Sequence, residues 1–360
     1  MPIDRARLLS TFRTLLEIES PSGHEGDIAR YVTSELARMG GNVVTDASGN
    51  VIGRFEGVGE PIMLNAHLDT VMPTVGLKIV ESDGRLRSDG TTILGADDKA
   101  GVAAILEAIR SIREQGISHL PIEVVFTIAE EIGLVGAKNL DYTLVSAKRG
   151  ICLDSSGPVG MIMVAGPAQI SIDVTITGRA AHAGMAPEKG ISAIVVASEA
   201  IAAMRLGRID EETTANVGII QGGSATNIVP EKVTISAEAR SRDESKLRAQ
   251  VESMRKSLGS AAARHGATIN MKAEYAYRAF KLSESDELVR MVSQAAKSLG
   301  MNVALGATGG GSDTNIFNER GIKTVNLGIG YDDPHSSNES IAIADLVQSA
   351  ELVYTVLKVK

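Results

Sequence analysis

Five short segments carry imidazole and carboxylate groups in a pattern able to hold metal ions. They are Asn65-Ala-His67-Leu-Asp69, Gly95-Ala-Asp97-Asp98-Lys99-Ala-Gly101, Ala129-Glu130-Glu131-Ile-Gly133, Asp154-Ser-Ser-Gly157 and Asp332-Asp333-Pro-His335. Imidazole and carboxylate are ligands of borderline divalent ions such as zinc, manganese or cobalt. Two ions about 3.5–4 Å apart need a shared carboxylate, further ligands for each and room for a bridging water, and this set permits that. Taken singly, His-x-Asp and Glu-Glu pairs are common and mostly solvated. Their weight comes from recurring in order, each at the end of a short apolar run.

Those runs are the elements that must position the groups. Residues 61–65, 122–128, 150–153 and 324–327 read as strands, and the first four segments adjoin such strands or open the helix expected over 100–112. Helices are also expected over 5–18, 28–39 (stopped by Gly40-Gly41), 286–299 and 343–357. Apolar strands alternating with helices predict an α/β layered sheet buried on both faces. Such sheets bind ligands beyond the carboxyl ends of their strands, the edge where all five segments would arrive. The middle of the chain has another texture. Residues 169–177 and 232–238 alternate apolar and polar side chains, as strands with one wet face do. Helices over 191–204 and 245–265 and a strand over 268–277 complete an α+β insertion. The expected division is 1–167 with 280–360, interrupted by 168–279.

Composition narrows the function classes. The 360 residues hold 36 basic and 44 acidic side chains, a formal charge of −8. Without a long basic cluster, neither a nucleic-acid groove nor an anionic membrane surface is expected. A single cysteine, Cys152, excludes an internal disulfide and a cysteine-rich zinc cage. No leader-like apolar segment opens the sequence and no apolar run reaches the ~18 residues of a spanning helix, so a cytoplasmic protein is expected.

His67-Leu-Asp69-Thr, Gly95-Ala-Asp-Asp-Lys-Ala-Gly101, Glu130-Glu131-Ile-Gly133 and the late His335 together resemble the signature of the M20 family of di-metal peptidases, and most closely its peptidase T-like branch of tripeptide aminopeptidases. The likeness runs over nearly the whole chain. It implies a zinc-peptidase-like catalytic domain with a mainly parallel or mixed sheet and helices on both faces, plus an inserted α+β, ferredoxin-like lid domain. It also implies two divalent ions, zinc foremost with cobalt or manganese as alternatives. Asp97 would bridge them, His67 and Asp154 would hold one, and Glu131 and His335 the other. Glu130 would be the general base and Asp69 would orient His67. The Asp97–Asp98 peptide would be cis. In the lid, His182 of Gly178-Arg-Ala-Ala-His182-Ala-Gly184, Asn227, Arg240 and Gly310 of Gly309-Gly-Gly-Ser-Asp313 match substrate-binding positions, and a homodimer through the lid is implied. Arginine suits a peptide's terminal carboxylate because its guanidinium pairs with both oxygens.

The activity so implied is hydrolysis of small peptides, releasing the N-terminal residue, because Asp rather than Glu stands at position 154. Alternatives are an M20 carboxypeptidase or N-acyl-amino-acid deacylase, a non-catalytic metal-dependent binding protein, and a two-metal phosphoesterase, the last weakened by the lack of a basic clamp. Asp98, Asp332, Asp333 and Glu25 read as turn or cap residues. His24, His119 and His265 read as surface or loop residues, and Cys152 as a small buried hydrophobe. Ser155-Ser156 lacks a serine hydrolase's Gly-x-Ser-x-Gly elbow.

Overall fold

The computed structural model describes residues 2–359. The chain divides into two compact units: residues 1–164, 281–307 and 312–360, and residues 165–280 with 308–311.

The first unit is organised by four parallel strands in the spatial order Ile122–Thr127, Ile62–His67, Arg149–Ser155 and Lys323–Gly328. Val51–Phe55 and then Asn42–Thr45 extend one edge antiparallel, and Met161–Gly166 pairs antiparallel with Lys323–Gly328 at the other. Alternation along each strand sends the two sets of side chains to opposite faces. On one face Ile62, Leu64, Ala66, Val124, Phe126, Ile151, Leu153, Val325 and Leu327 join the main apolar core. Helices Arg5–Glu17, Gly26–Arg38, Ala96–Gln115, Glu287–Ser298 and Ile343–Leu357 bury their apolar stripes in the same core, for example Leu8, Phe12 and Leu15 of the first.

The opposite face is buried as well, as expected, but mixes Met63, Val125 and Cys152 with polar groups. It carries Asn65, Glu123, Thr127, Thr324 and Asn326, all buried. Burying polar groups is tolerable only when they are hydrogen-bonded, and these are. Asn65 Nδ2 donates to the Val125 carbonyl at 2.9 Å, and Glu123 accepts from the backbone of Ser146 and Ala147. The short helix Asp313–Glu319 covers part of this face, with Asp313, Thr314 and Asn315 buried at its start.

Chain stops follow local chemistry. Asp4 caps the first helix by accepting the Arg7 N–H at 3.1 Å. Gly41 follows the second, where an added Cβ would stand 2.7 Å from the Phe55 ring. A third, four-stranded sheet joins Ile79–Ser82 and Arg85–Ser88 to Ser340–Ala342 and Tyr331–Asp332.

The second unit is an antiparallel sheet in the order Gly207–Arg208, Thr213–Gly222, Lys232–Ser241, Ala168–Thr177, Thr268–Tyr277. Ile170, Ile172, Val174 and Ile176 point to one face, against Val196 and Ala200 of helix Ala193–Ala202 and Leu247, Met254 and Leu258 of helix Glu244–His265. Apart from the short Gly207–Arg208 strand, its chain order is strand, helix, strand, strand, helix, strand, the split βαβ pattern. Among the described residues no helix is long and apolar enough to cross a membrane.

Candidate metal centre

The parallel strands deliver their polar ends to one place. His67 ends Ile62–His67, Asp154 lies next to the end of Arg149–Ser155, and Glu130 and Glu131 follow Ile122–Thr127. Asp97 stands in the first turn of Ala96–Gln115, where it and Asp98 have non-helical backbone and are joined by a cis peptide. His335 lies on the loop between Tyr331–Asp332 and Ser340–Ala342. Several non-glycine residues here take left-handed backbone, among them His335 itself at φ 61° and Ala129, just before Glu130, at φ 51°. That conformation costs L residues energy and is held only where the surroundings over-determine it.

The side chains converge. His67 Nε2 is 3.1 Å from Asp97 Oδ1 and 3.8 Å from Asp154 Oδ1. His335 Nε2 is 3.4 Å from the other oxygen of Asp97 and 2.8 Å from Glu131 Oε1. The Asp97 carboxylate thus faces one imidazole with each oxygen. Ligand atoms of His67, Asp97 and Asp154 lie within 4.8 Å of one another, as do those of Asp97, Glu131 and His335. His67, Glu130 and Glu131 form a third such group.

Orientation supports ligation. His67 Nδ1 lies 2.9 Å from the Asp69 carbonyl, which fixes the proton on Nδ1 and turns Nε2 toward Asp97 and Asp154. The Asp69 carboxylate is 3.4 Å from the same nitrogen. Its main partners are the backbone N–H groups of Glu130 and Glu131, at 2.9 and 3.1 Å, and the Ser22 hydroxyl at 2.7 Å. Asp69 therefore holds both the His67 turn and the Glu130-Glu131 peptides.

The electrostatics call for a cation. Asp97, Asp98, Glu130 and Asp154 are largely buried together, and the positive charge in ion-pair reach of the cluster comes from His67 and His335. Burial, then the neighbouring carboxylates, hold Asp98, Glu130 and Asp154 well above the usual carboxylate range. Burial acts the same way on Asp97, but hydrogen bonds to His335 and His67 outweigh it and hold that group below the range. Glu131 Oε1 and Asp98 Oδ1 are buried without a hydrogen-bond partner. Glu131 Oε1 is close to His335 Nε2 yet not aligned with a ring N–H, as two ligands aimed at a common point would be. Divalent ions fit this donor set: nitrogen and oxygen atoms at short range, excess buried negative charge and orphaned oxygens.

A family model described as peptidase family M20/M25/M40 matches residues 63–359. The chain belongs to this peptidase family. It is 43% identical over 99% of its length to the uncharacterized protein YqjE of Bacillus subtilis, and covers 99% of that protein. Among solved structures, aminopeptidase PepT from Bacillus cereus is 42% identical with a TM-score of 0.90, and a tripeptidase from Staphylococcus aureus 39% identical with a TM-score of 0.94. Both alignments cover 99% of each chain. This M20 chain is accordingly a metallopeptidase with peptidase T-like relatives.

The four remaining candidates lie in the second unit of the M20 peptidase. His182 is exposed, and its Nδ1 accepts the N–H groups of Gly184 and Met185 at 3.2 and 3.1 Å, leaving the proton on Nε2. Asn227 is exposed, and its carbonyl accepts the Ala183 N–H, so the His182 and Asn227 segments lie side by side. Arg240 is engaged fork to fork with Glu238, both contacts being 2.9 Å, so the clamp the resemblance implies has a resident carboxylate. Gly310 donates its N–H to Thr308 Oγ1 at 3.0 Å.

Several residues of the site were passed over in the sequence. Asp98 is not a turn residue but a fully buried carboxylate that accepts the His67 N–H at 3.2 Å. Glu25 does more than cap a turn, since it accepts the Ala129 N–H at 2.9 Å just before Glu130. Asp313 accepts from the Thr127 hydroxyl beneath the Glu130 segment, and burial raises it to about 6. His119 lies in a loop but is buried, with Nδ1 2.7 Å from the Leu120 carbonyl. Asn in the middle of a buried apolar strand, as in Val325-Asn326-Leu327, was the available signal for this supporting layer. Cys152 is buried and donates to Asn65 Oδ1 at 3.0 Å, with burial pushing its thiol well up.

Proposed function

We propose that the chain is a di-metal aminopeptidase of small peptides, tripeptides foremost, releasing the N-terminal residue. The observation that carries this reading is the Asp97 carboxylate, one oxygen 3.1 Å from His67 and the other 3.4 Å from His335. That is how a bridging ligand between two ions would stand. His67 and Asp154 would hold one ion and Glu131 and His335 the other, with zinc first among the candidates and cobalt or manganese next. When bound, the ions polarise the scissile carbonyl and lower the pKa of a water toward ~7.

The chain's own residues supply the rest. Glu130 accepts the water proton on its carboxylate and passes it to the leaving amine nitrogen. Asp69 keeps Glu130 aimed by holding its backbone N–H, and keeps the His67 ring turned through its carbonyl. Buried strand ends exclude bulk water, which strengthens each charge interaction. His182, Asn227, Arg240 and Gly310 are assigned to substrate binding, with Arg240 exchanging Glu238 for the peptide's terminal carboxylate. Residues 1–167 with 280–360 form the catalytic domain, and 168–279 a lid that also joins two copies. The enzyme works in the cytoplasm, where a single thiol stays reduced.

Hydrolysis of a free tripeptide, its N-acetylated form and its C-terminal amide by metal-loaded protein tests the reading. Cleavage from the N-terminus, lost on acetylation, is expected. Preference for the acetylated peptide would move the enzyme to the deacylase or carboxypeptidase branch.

A further inference from the structure

The helix Ala96–Gln115 begins without a cap of its own. Gly95 stands at its N-cap and has no side chain, while Asp97 and Asp98 have non-helical backbone, so the first turn cannot be held by helical hydrogen bonds. The missing acceptor comes from far along the chain. Glu339 is fully buried; its Oε2 accepts the N–H groups of Leu94 and Gly95 at 2.9 and 2.6 Å, and its Oε1 accepts the N–H of Asp97 at 2.9 Å. Its charge is met by these dipoles rather than by an ion pair: the nearby Lys99 sends its Nζ to the Ile18 carbonyl at 2.7 Å. Burial raises the Glu339 carboxyl to about 7, and the three N–H bonds oppose that rise.

Glu339 also belongs to the loop that carries His335. It follows His335 by four residues, its own N–H bonds to the Ser336 carbonyl at 3.1 Å, and it leads into strand Ser340–Ala342, which pairs with Arg85–Ser88. One side chain thus ties the peptide of Asp97 to the loop of His335. We propose that Glu339 is a positioning residue of the metal pair, fixing the distance between Asp97 and His335. The proposal rests on Asp97 and His335 being ligands, as argued above. Both Glu339 oxygens accept from N–H donors, so a glutamine there must turn its NH2 toward one of them. It would push that peptide away while keeping the side chain's size.

The test compares Glu339→Gln and Glu339→Asp with Glu107→Gln, in the full chain. Glu107, on the helix Ala96–Gln115 itself, is a comparably buried carboxylate bonded to Arg7, Ser111 and the Asp4 N–H, and serves as the structural control. Metal-free proteins are titrated with cobalt(II), read by visible absorption and by calorimetry. The expected result is two sites in the parent chain, with affinity for the second ion lowered ~10–100-fold in Glu339→Gln, the scale on which outer partners of metal ligands act. Glu107→Gln should lose stability but keep both affinities. Glu339→Asp, which keeps the charge but is one methylene short, should fall between. Two sites of parental affinity in a folded Glu339→Gln would overturn the proposal; should that variant not fold, parental affinities in Glu339→Asp would do so. If the parent itself takes up fewer than two ions, the metal-pair reading fails instead, and the titration separates the two failures.

Discussion

Asn326 grips Asp154 by its backbone on both sides: its Oδ1 accepts the Asp154 N–H at 2.9 Å, and its Nδ2 donates to the Asp154 carbonyl at 2.6 Å. The same Nδ2 reaches Ser312 Oγ at 3.2 Å. Asn326 lies on the neighbouring strand Lys323–Gly328, so the grip fixes Asp154 where regular pairing is interrupted by a register shift between Asn326 and Gly328.

Replacing that amide should loosen Asp154 without touching a ligand. Asn326→Leu keeps the volume and leaves two backbone groups unpaired, a loss of about 1–3 kcal/mol for each. Metal affinity should also fall, about 10–100-fold, because the ligand's backbone is no longer held. Denaturant unfolding and metal titration of the same sample measure both. A stability loss with unchanged metal affinity would show that Asp154 is held by its strand alone.

Metal removal should destabilise the first unit. With no ion present, the buried carboxylates of Asp97, Asp98, Glu130 and Asp154 face one another with two imidazoles between them. An ion at about a hundred times its dissociation constant adds about 2.7 kcal/mol to a protein that binds it only when folded. That corresponds to about 5–10 °C in melting temperature for a domain of a few hundred residues. Calorimetric melts after chelation, and again after adding zinc, cobalt or manganese, check this. Identical melts in all samples would speak against a metal centre.

The second unit offers a steric prediction. A Cβ added at Gly311 would stand 2.1 Å from the Tyr277 ring, closer than any real contact. Since Tyr277 ends the strand Thr268–Tyr277 and is itself buried, Gly311→Ala should cost about 1–3 kcal/mol through overpacking. Gly309→Ala, which meets nothing within 4 Å, should be close to neutral. Equal melting temperatures for the two variants would refute the packing argument.

The sequence made the candidate ligand set legible because metal ligands must be polar where the chain is otherwise apolar. His67, Asp97 and Asp154 stand out against buried neighbours, and the four parallel strands announce themselves by apolar runs, whereas His335 sits in an exposed loop and is legible only as the last member of the ordered set. The supporting layer was harder to read for the opposite reason. Asp98, Glu25 and Glu339 do their work by accepting backbone N–H groups from residues distant in sequence, and such partners leave no periodic trace. Thr213–Gly222 was missed as a strand because most of it is exposed, covered on its outer side only by the two-residue strand Gly207–Arg208, and so shows no alternation of apolar and polar residues. Arg240 shows the converse. Its type and place suit a carboxylate clamp, but only the structure reveals Glu238 two residues away already in the fork.

The sharpest proposed division between base and ligand falls within one dipeptide. Glu130 and Glu131 are adjacent, both N–H groups are held by Asp69 and both group with His67, yet of the two it is Glu131 that also groups with Asp97 and His335. Glu130→Gln keeps the shape and the backbone anchor and removes the basic oxygen. It should therefore retain both ions and lose about 10²–10⁴-fold in kcat with KM little changed, the range that general-base catalysis supplies. Glu131→Gln should instead lose an ion, and activity with it. Metal content by elemental analysis, paired with tripeptide hydrolysis, separates the two. An active, metal-loaded Glu130→Gln would require another base, and a metal-depleted one would move Glu130 into the ligand set.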